Sequence, residues 1–308
     1  MRLSRKAIQV SNNSFPLPQV FPPQNDAKQL GVERLHKNSG WRLFLQTVIA
    51  RAYPRIIGQQ REKSWLFFDI LLPLLSVCAF VFVYKAINAP EDYIGFVVIG
   101  GAMTAFWMNV LWSMSSQLYW EKEQGNLALF IITPTSMMAI LLGMALGGLL
   151  ATTLRALVII LLGSLFFNVQ YAVTSFAQLF AVFIFTMIAL YGLGMMSASL
   201  YLLLSREAWH ISSLAQEPIY LFSGFYFPIK NFSFWISAAA SIIPLTLGLD
   251  AMRQLVFKSG PSLGFLSVQV EIIILFILSI VFLIAAKLML AHMEKLAIRE
   301  GRLTENRR

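Results

Sequence analysis

Four ionisable residues lie inside long apolar runs of this sequence, where a charged side chain needs a partner. They are Asp69, Arg155, Glu217 and Glu271. A charge at the centre of a bilayer costs at least ~2.5 kcal/mol on insertion scales, so such residues are candidates for ion pairs, proton relays or contacts with polar cargo. Asp69 and Glu271 stand near the ends of their runs, which favours the membrane interface. For the deeper Arg155 and Glu217 we consider a mutual pair, with backbone carbonyls or water as alternative partners.

A second polar group interrupts the apolar sequence at "YWEKEQGNLALFIITPTS", residues 119–136. An acidic, basic, acidic triplet (Glu121 to Glu123) opens a short run, 124–132, whose apolar positions predict one or two helical turns along a surface. Acidic residues near its start complement the positive end of the helix dipole. Pro134 ends the run. A solvated connector would explain the charges but less well the leucines beside them, so we predict a docking element.

Motifs for catalysis or nucleotide binding are absent from the sequence. The dipeptide Gly-Lys never occurs, so there is no GxxxxGK[ST] phosphate loop. The three histidines are far apart and no HExxH motif exists, which disfavours a dedicated zinc site. We therefore expect no enzyme activity, no catalytic residues, no metal ligands and no cofactor in this chain. Cys78, the single cysteine, permits no internal disulfide.

The elements that must position these groups are predicted to be membrane-spanning helices. Hydrophobic residues make up 57% of the sequence and charged residues 13%, about half the charged fraction of a soluble domain. Six segments are apolar enough to cross a hydrocarbon core of roughly 30 Å, although the fifth is short. They are 65–84, 93–114, 137–167, 176–204, 211–227 and 265–290. Because they are apolar on every side, they favour helices over barrel strands, and we predict an all-α integral membrane protein.

The net charge of +9 indicates membrane topology rather than nucleic-acid binding. Basic residues concentrate at the two ends, with eleven Lys and Arg against three acids in residues 1–63 and six against three from Lys287 onward. Basic flanks mark the cytoplasmic side of a membrane. With six crossings, both termini are expected in the cytoplasm of a protein of the plasma membrane. No apolar core follows the basic start, so no secretory signal is expected.

Several segments surround or interrupt the predicted six-span unit of residues 64–290. They are an irregular cytoplasmic tail (1–39), an amphipathic helix and linker at the cytoplasmic membrane interface (40–63), a re-entrant pair of half-helices on the outer side (228–250), and a basic cytoplasmic tail (291–308). The amphipathic helix has a soluble helix packed on a partner as its alternative. Gly143 and Gly147 form a GxxxG motif, which permits close helix approach.

Two stretches carry a resemblance to a known family. The sequence resembles the type-2 permeases of ATP-binding-cassette exporters, whose second and third spans are joined by E-x-E-x-G-T-L followed by L-x-x-T-P. The matching residues are Glu121, Glu123, Gly125, Leu127, Leu129, Thr133 and Pro134, with departures at Asn126 and Ala128. After the fifth span the family tends to show S-G-x-x-x-P, then P-L-T and a terminal Arg. The matching residues here are Ser223, Gly224, Pro228, Pro244, Leu245, Thr246 and Arg253.

The resemblance implies a permease that works as a dimer, with a second copy or a homologous permease, driven by a separate ATPase subunit that binds ATP and Mg. Residues 119–136 would be its coupling helix. Glu121 and Glu123 would contact the ATPase, while Leu127 and Leu129 would anchor the helix to the membrane domain. The outer gate and export path would involve Ser223, Gly224, Phe225, Phe227, Pro228 and Trp107. The cargo would be amphipathic, lipid-linked or of polysaccharide type.

Two other classes of function stay open at this point. An ion-coupled secondary transporter would need charged relays at mid-membrane, for which only Arg155 and Glu217 qualify. A non-transporting membrane scaffold would need a partner but no export path.

Overall fold

The computed structural model describes residues 40–133, 135–204 and 207–299, and most of these residues are helical. The predicted tail 1–39, Pro134 and the last nine residues lie outside the described residues. The α-helices are α1 (Trp41–Arg61), α2 (Lys63–Ala86), α3 (Asp92–Met108), α4 (Gln117–Glu123), α5 (Asn126–Ile132), α6 (Met137–Phe167), α7 (Phe176–Leu204), α8 (Glu207–Phe222), α9 (Phe234–Ala240), α10 (Pro244–Val256), α11 (Gly260–Leu263) and α12 (Val268–Arg299).

Five helical segments are long and apolar enough to cross a membrane, which confirms the predicted all-α membrane fold. They are Lys63–Ala86, Asp92–Glu123, Met137–Phe167, Phe176–Tyr201 and Val268–Leu296. The helices α9 and α10 meet at 108° and add a sixth crossing only if this bent pair is one broken span. The chain is therefore a multi-pass membrane protein.

The fifth predicted span, 211–227, differs from the helix that the structure contains. That helix, α8, runs from Glu207 to Phe222 and has 16 residues. At 1.5 Å per residue it is about 24 Å long, less than the hydrocarbon core of roughly 30 Å. It ends where the chain turns at Gly224, whose φ of 72° is left-handed. The last residues of the predicted span, 225–227, follow this turn outside any helix, and the next α-helix, α9, begins at Phe234.

The second span lies at the centre of the bundle. It consists of α3, a wider helical turn from Asn109 to Met114, and α4, and most of its residues are buried. The spans α2 and α12, in contrast, expose large apolar side chains along their length. Exposed apolar side chains on a membrane helix are expected to face lipid. The second span is therefore the most enclosed of the five candidate spans.

The helix α1 packs along the first half of α6, and the GxxxG motif is the contact. A Cβ atom built on Gly143 would lie 2.5 Å from the carbonyl oxygen of Val48, and one built on Gly147 would lie 2.7 Å from that of Ala52. The motif therefore brings α1, and not one of the membrane spans, close to α6. A second face of α1 carries exposed apolar side chains four residues apart, namely Trp41, Leu45, Ile49 and Tyr53.

Replacing Gly147 with leucine is expected to displace α1 from α6 and to destabilise the protein by about 1–3 kcal/mol, the usual cost of overpacking. The nearest obstacles, the carbonyl of Ala52 and the Cβ atom of Arg55, are both 2.7 Å from the built Cβ and cannot move without the helix. Thermal unfolding in detergent measures the effect. Leu146→Phe, which adds volume at an exposed neighbour, is the control. Equal stability of both variants would contradict the packing.

Candidate coupling and gate sites

The segment between the second and third spans forms two short helices joined by a left-handed glycine. Gly125 has φ of 77°, and a Cβ atom there would meet nothing within 4 Å. Backbone conformation, not space, therefore favours glycine at this position. The helix α5 ends at Ile132, where the hydroxyl of Thr133 donates to the carbonyl of Phe130 at 2.7 Å. The next residue, Pro134, is not among the described residues.

The two glutamates of this segment have different environments. Glu121 is 7% exposed and accepts hydrogen bonds from the amides of Gln117 (3.3 Å) and Asn126 (3.0 Å). Glu123 is exposed. The side chain of Glu121 is thus buried against its own chain, whereas that of Glu123 lies at the surface. Asn126, which departs from the usual threonine of the family, supplies one of the two donors.

The two leucines of the segment also differ, because positions two apart lie on different sides of a helix. Leu127 is 0% exposed and packs into the core, whereas Leu129 is 56% exposed. Leu127 therefore anchors α5, and Leu129 does not. Among the described residues from 119 to 133, the exposed ones form a surface that we call the docking face, namely Trp120, Glu123, Gln124, Gly125, Leu129 and Thr133.

A chain of hydrogen bonds continues from Glu121 into the membrane domain. Gln117 accepts from the guanidinium of Arg55 in α1, and the same guanidinium donates to the hydroxyl and, at 3.2 Å, to the carbonyl of Ser113 in the second span. Burial lowers the pKa of Arg55, and the carboxylate of Glu121 acts against this shift. Residues 119–136, which we call the docking segment after their predicted role, are therefore connected to α1 and the second span through one partly buried cation.

Arg155 pairs with Asp69, not with Glu217, so the pair that we considered from the sequence is wrong. The guanidinium of Arg155 donates to Asp69 Oδ2 at 2.5 Å and to Gln59 Oε1 at 3.3 Å. Glu217 lies exposed on α8, and its carboxylate accepts from the neighbouring Gln216 at 3.4 Å. The reason is the packing of α6 against α1 and α2. This contact supplies the partners of Arg155.

Glu271 lies in the first turn of α12, near the end of its apolar run, and it is enclosed by other residues of the chain. It is 0% exposed, and its Oε2 accepts from the amide of Gln254 at 3.2 Å. The same amide lies 3.1 Å from Asp250 Oδ2. These groups join α10 to the start of α12. Among the described residues, no three His, Cys, Asp or Glu side chains come together as metal ligands.

Arg253 is the residue that holds the predicted outer gate, and it was missing from our candidate site. It is 3% exposed and donates to the carbonyls of Gly224 (2.5 Å), Phe225 (2.6 Å) and Phe96 (3.0 Å). A Cβ atom on Gly100 would lie 1.6 Å from the carbonyl oxygen of Phe225, so the turn is pressed onto α3. The sequence contained a signal for Arg253, namely its place as the terminal Arg of the matching stretch.

The predicted gate side chains are packed rather than arranged around an opening within this chain. Ser223 and Phe225 are fully buried, and Pro228 is buried as well. Phe227 is half-buried and stacks edge-on against Phe232, with ring centroids 5.5 Å apart. Trp107 is buried in the middle of the second span. The structure therefore brings Gly224 and its neighbours together at the turn after α8, which we call the outer turn after its predicted side of the membrane, with Trp107 in a separate place.

Comparison with known proteins gives a family and two relatives. Residues 45–257 match the family described as ABC-2 type transporter. The chain is similar to "Probable multidrug ABC transporter permease YbhR" of Escherichia coli K12, with 26% identity over 177 residues, which is 56% of this chain and 46% of the relative. The protein of the same name from Escherichia coli O157:H7 matches with the same figures. The chain thus spans about half the length of the curated relatives it matches.

Proposed function

Because this chain belongs to the ABC-2 type transporter family, we propose that it is the membrane-spanning permease of an ATP-binding-cassette exporter, driven by a separate ATPase subunit. The observation that carries this proposal is the docking segment. It exposes a mixed surface with an acid, an amide and a leucine, Glu123, Gln124 and Leu129. Its inner side is fixed to the membrane domain through Glu121 and Leu127. An exposed element that is fixed to the membrane domain in this way can transmit a movement of a bound partner to that domain.

The working unit would be a dimer with a second copy or a homologous permease, each half carrying an ATPase that binds ATP and Mg²⁺. It would lie in the plasma membrane with both termini in the cytoplasm, since the basic ends of the sequence favour that side. The curated relatives are named multidrug permeases, which supports an amphipathic cargo. Lipid-linked or polysaccharide cargo is the other class, for which the aromatic residues around Phe232 and Trp235 offer contacts.

An ion-coupled transporter has less support in this geometry. Arg155 is neutralised by Asp69, so a relay between Arg155 and Glu217 has no basis in the contacts of the described residues. A membrane scaffold and an exporter differ in whether ATP hydrolysis moves cargo across the membrane.

The test is ATP hydrolysis by the chain in lipid nanodiscs, purified alone and after co-expression with candidate ATP-binding-cassette ATPases. We expect hydrolysis only in the co-purified complex, and we expect hydrolysis to drive ethidium into inside-out vesicles. A chain that binds no ATPase, or a complex that hydrolyses ATP without moving ethidium or a lipid-linked sugar, would contradict the export function. An ATPase-inactive partner variant is the control for background signal.

A further inference from the structure

The second span changes its helical geometry in one place. From Asn109 to Met114 the turns are wider than in an α-helix, and the backbone N–H of Ser115 donates to the carbonyl of Val110, five residues back, at 3.0 Å. Such π-type turns are rare and frequently stand at functional sites. Here the wide turn lies directly between the buried outer part of the span and α4, which leads into the docking face.

Each polar side chain of the wide turn that has a cross-helix partner contacts a different helix. Asn109 Oδ1 accepts from the hydroxyl of Tyr191 in α7 at 3.0 Å. Ser113 accepts from Arg55 of α1. Trp112 Nε1 donates to Gln216 Oε1 of α8 at 2.9 Å. The wide turn is thus the place where the docking segment, α1, α7 and α8 are connected through side-chain hydrogen bonds.

The contact with α8 differs from the other two, because the described part of α8 packs less against other helices than α1 or α7 does. Side chains on several of its turns are exposed, namely His210, Leu214, Glu217 and Leu221. A helix held by little packing depends more on a single directed hydrogen bond for its rotation and position. The bond from Trp112 to Gln216 is well placed for this role, since both side chains are partly buried.

We propose that the wide turn Asn109–Met114 passes movement of the docking face to α8, and that Trp112 and Gln216 are the positioning residues that carry it. The proposal rests on the proposed function, in which movement of a partner ATPase reaches the membrane domain through the docking segment. A shift of α4 would move the wide turn, and the hydrogen bond from the indole N–H of Trp112 would move Gln216 and its helix with it. The relay needs no charge to move and no cargo to be bound.

The experiment follows α8 in the complex with its ATPase, without a cargo. Cys78→Ser removes the single cysteine, and Leu221→Cys places one on the exposed face of α8. The rate of modification by a maleimide is measured in nanodiscs with and without ATP. We expect ATP to change this rate in the parent. In Trp112→Phe and Gln216→Met we expect the change to fall roughly fivefold, the factor that corresponds to one neutral hydrogen bond.

A double-mutant cycle separates the proposed bond from general damage. If Trp112 and Gln216 act through one bond, Trp112→Phe combined with Gln216→Met has no larger effect than either change alone. Tyr191→Phe removes one neutral hydrogen bond from the same wide turn to α7 and is the matched control, which should respond to ATP like the parent. ATP hydrolysis by each complex shows that the variants fold and bind the ATPase.

Three results would overturn the inference while the proposed function stands. They are an ATP-hydrolysing parent complex with no change at position 221, variants of Trp112 and Gln216 that respond like the parent, and additive losses in the double variant. A fourth such result is a loss of the ATP response in Tyr191→Phe as large as that in Trp112→Phe, which would show that the effect comes from general packing. Failure of the chain to bind any ATPase would instead refute the proposed function itself.

Discussion

Replacing Arg253 with leucine is expected to abolish the proposed export and to lower the stability of the purified chain by about 3 kcal/mol. The guanidinium donates to three carbonyl oxygens from two separate elements, and hydrogen bonds from a charged donor are worth about 1.5–3 kcal/mol each. Without it, the carbonyls of Gly224, Phe225 and Phe96 lose their donor inside the protein. The outer turn would then detach from α3.

Lysine at position 253 should restore only part of this loss. An ammonium group keeps the charge but not the planar fork that reaches several acceptors at once. Thermal unfolding of the purified chain and vesicle transport with the partner ATPase measure the two effects. Lys258→Leu, which removes an exposed cation a few residues further along, is the control. An Arg253→Leu variant with parental stability and transport would show that the turn is held by packing alone.

Charge reversal of Glu121 is expected to damage the protein in a different way from charge reversal of Glu123. Glu121→Lys removes a buried acceptor of two amides and places a cation beside Arg55, whose guanidinium is near the carboxylate. Leaving buried polar groups unpaired costs about 1–3 kcal/mol, so the chain itself should lose stability. Binding of the ATPase should be lost as a consequence, because the docking face is no longer held.

Glu123→Lys changes only the exposed surface. The stability of the chain alone should stay within about 0.5 kcal/mol of the parent, as is usual for surface substitutions. Co-purification of the ATPase should fall, since a cation would replace the acid at the contact. Measuring the stability of the chain and the co-purification of the ATPase for both variants tests whether Glu121 is buried and Glu123 belongs to the docking face. Equal losses of stability would contradict the buried position of Glu121, and undiminished binding by Glu123→Lys would remove Glu123 from the docking face.

The membrane spans could be predicted from the sequence because few backbone conformations are stable in lipid. A long run without charges must hydrogen-bond within itself in a membrane, so apolar length alone determined the places of α2, α6, α7 and α12. The segment after the second span was predictable only in part. A helical run was expected over 124–132, and α5 covers most of it. The acidic triplet was expected to open this run, but it lies at the end of α4, because the left-handed Gly125 separates the two short helices.

Partners across the fold were not predictable, since they depend on which helices pack together. The partner of Arg155 lies 86 residues earlier in the chain, and nothing in the local sequence of either residue favours Asp69 over Glu217. The GxxxG motif indicated close approach but not that α1 would be the helix approached. The same holds for α8, whose end is set by the turn at Gly224 and by the carbonyls that Arg253 binds.

The amino-acid sequence by itself determined the solvent, the helical class, the family and the position of the docking segment. These follow from composition, from the lengths of apolar runs and from short motifs, all of which are local properties. Only the tertiary structure decided that Glu121 faces inward while Glu123 faces outward, that Arg253 holds the outer turn, and that the wide turn of the second span connects α1, α7 and α8. The physical reason is that burial and hydrogen-bond partnership belong to pairs of elements, and no single stretch of sequence contains both members of a pair.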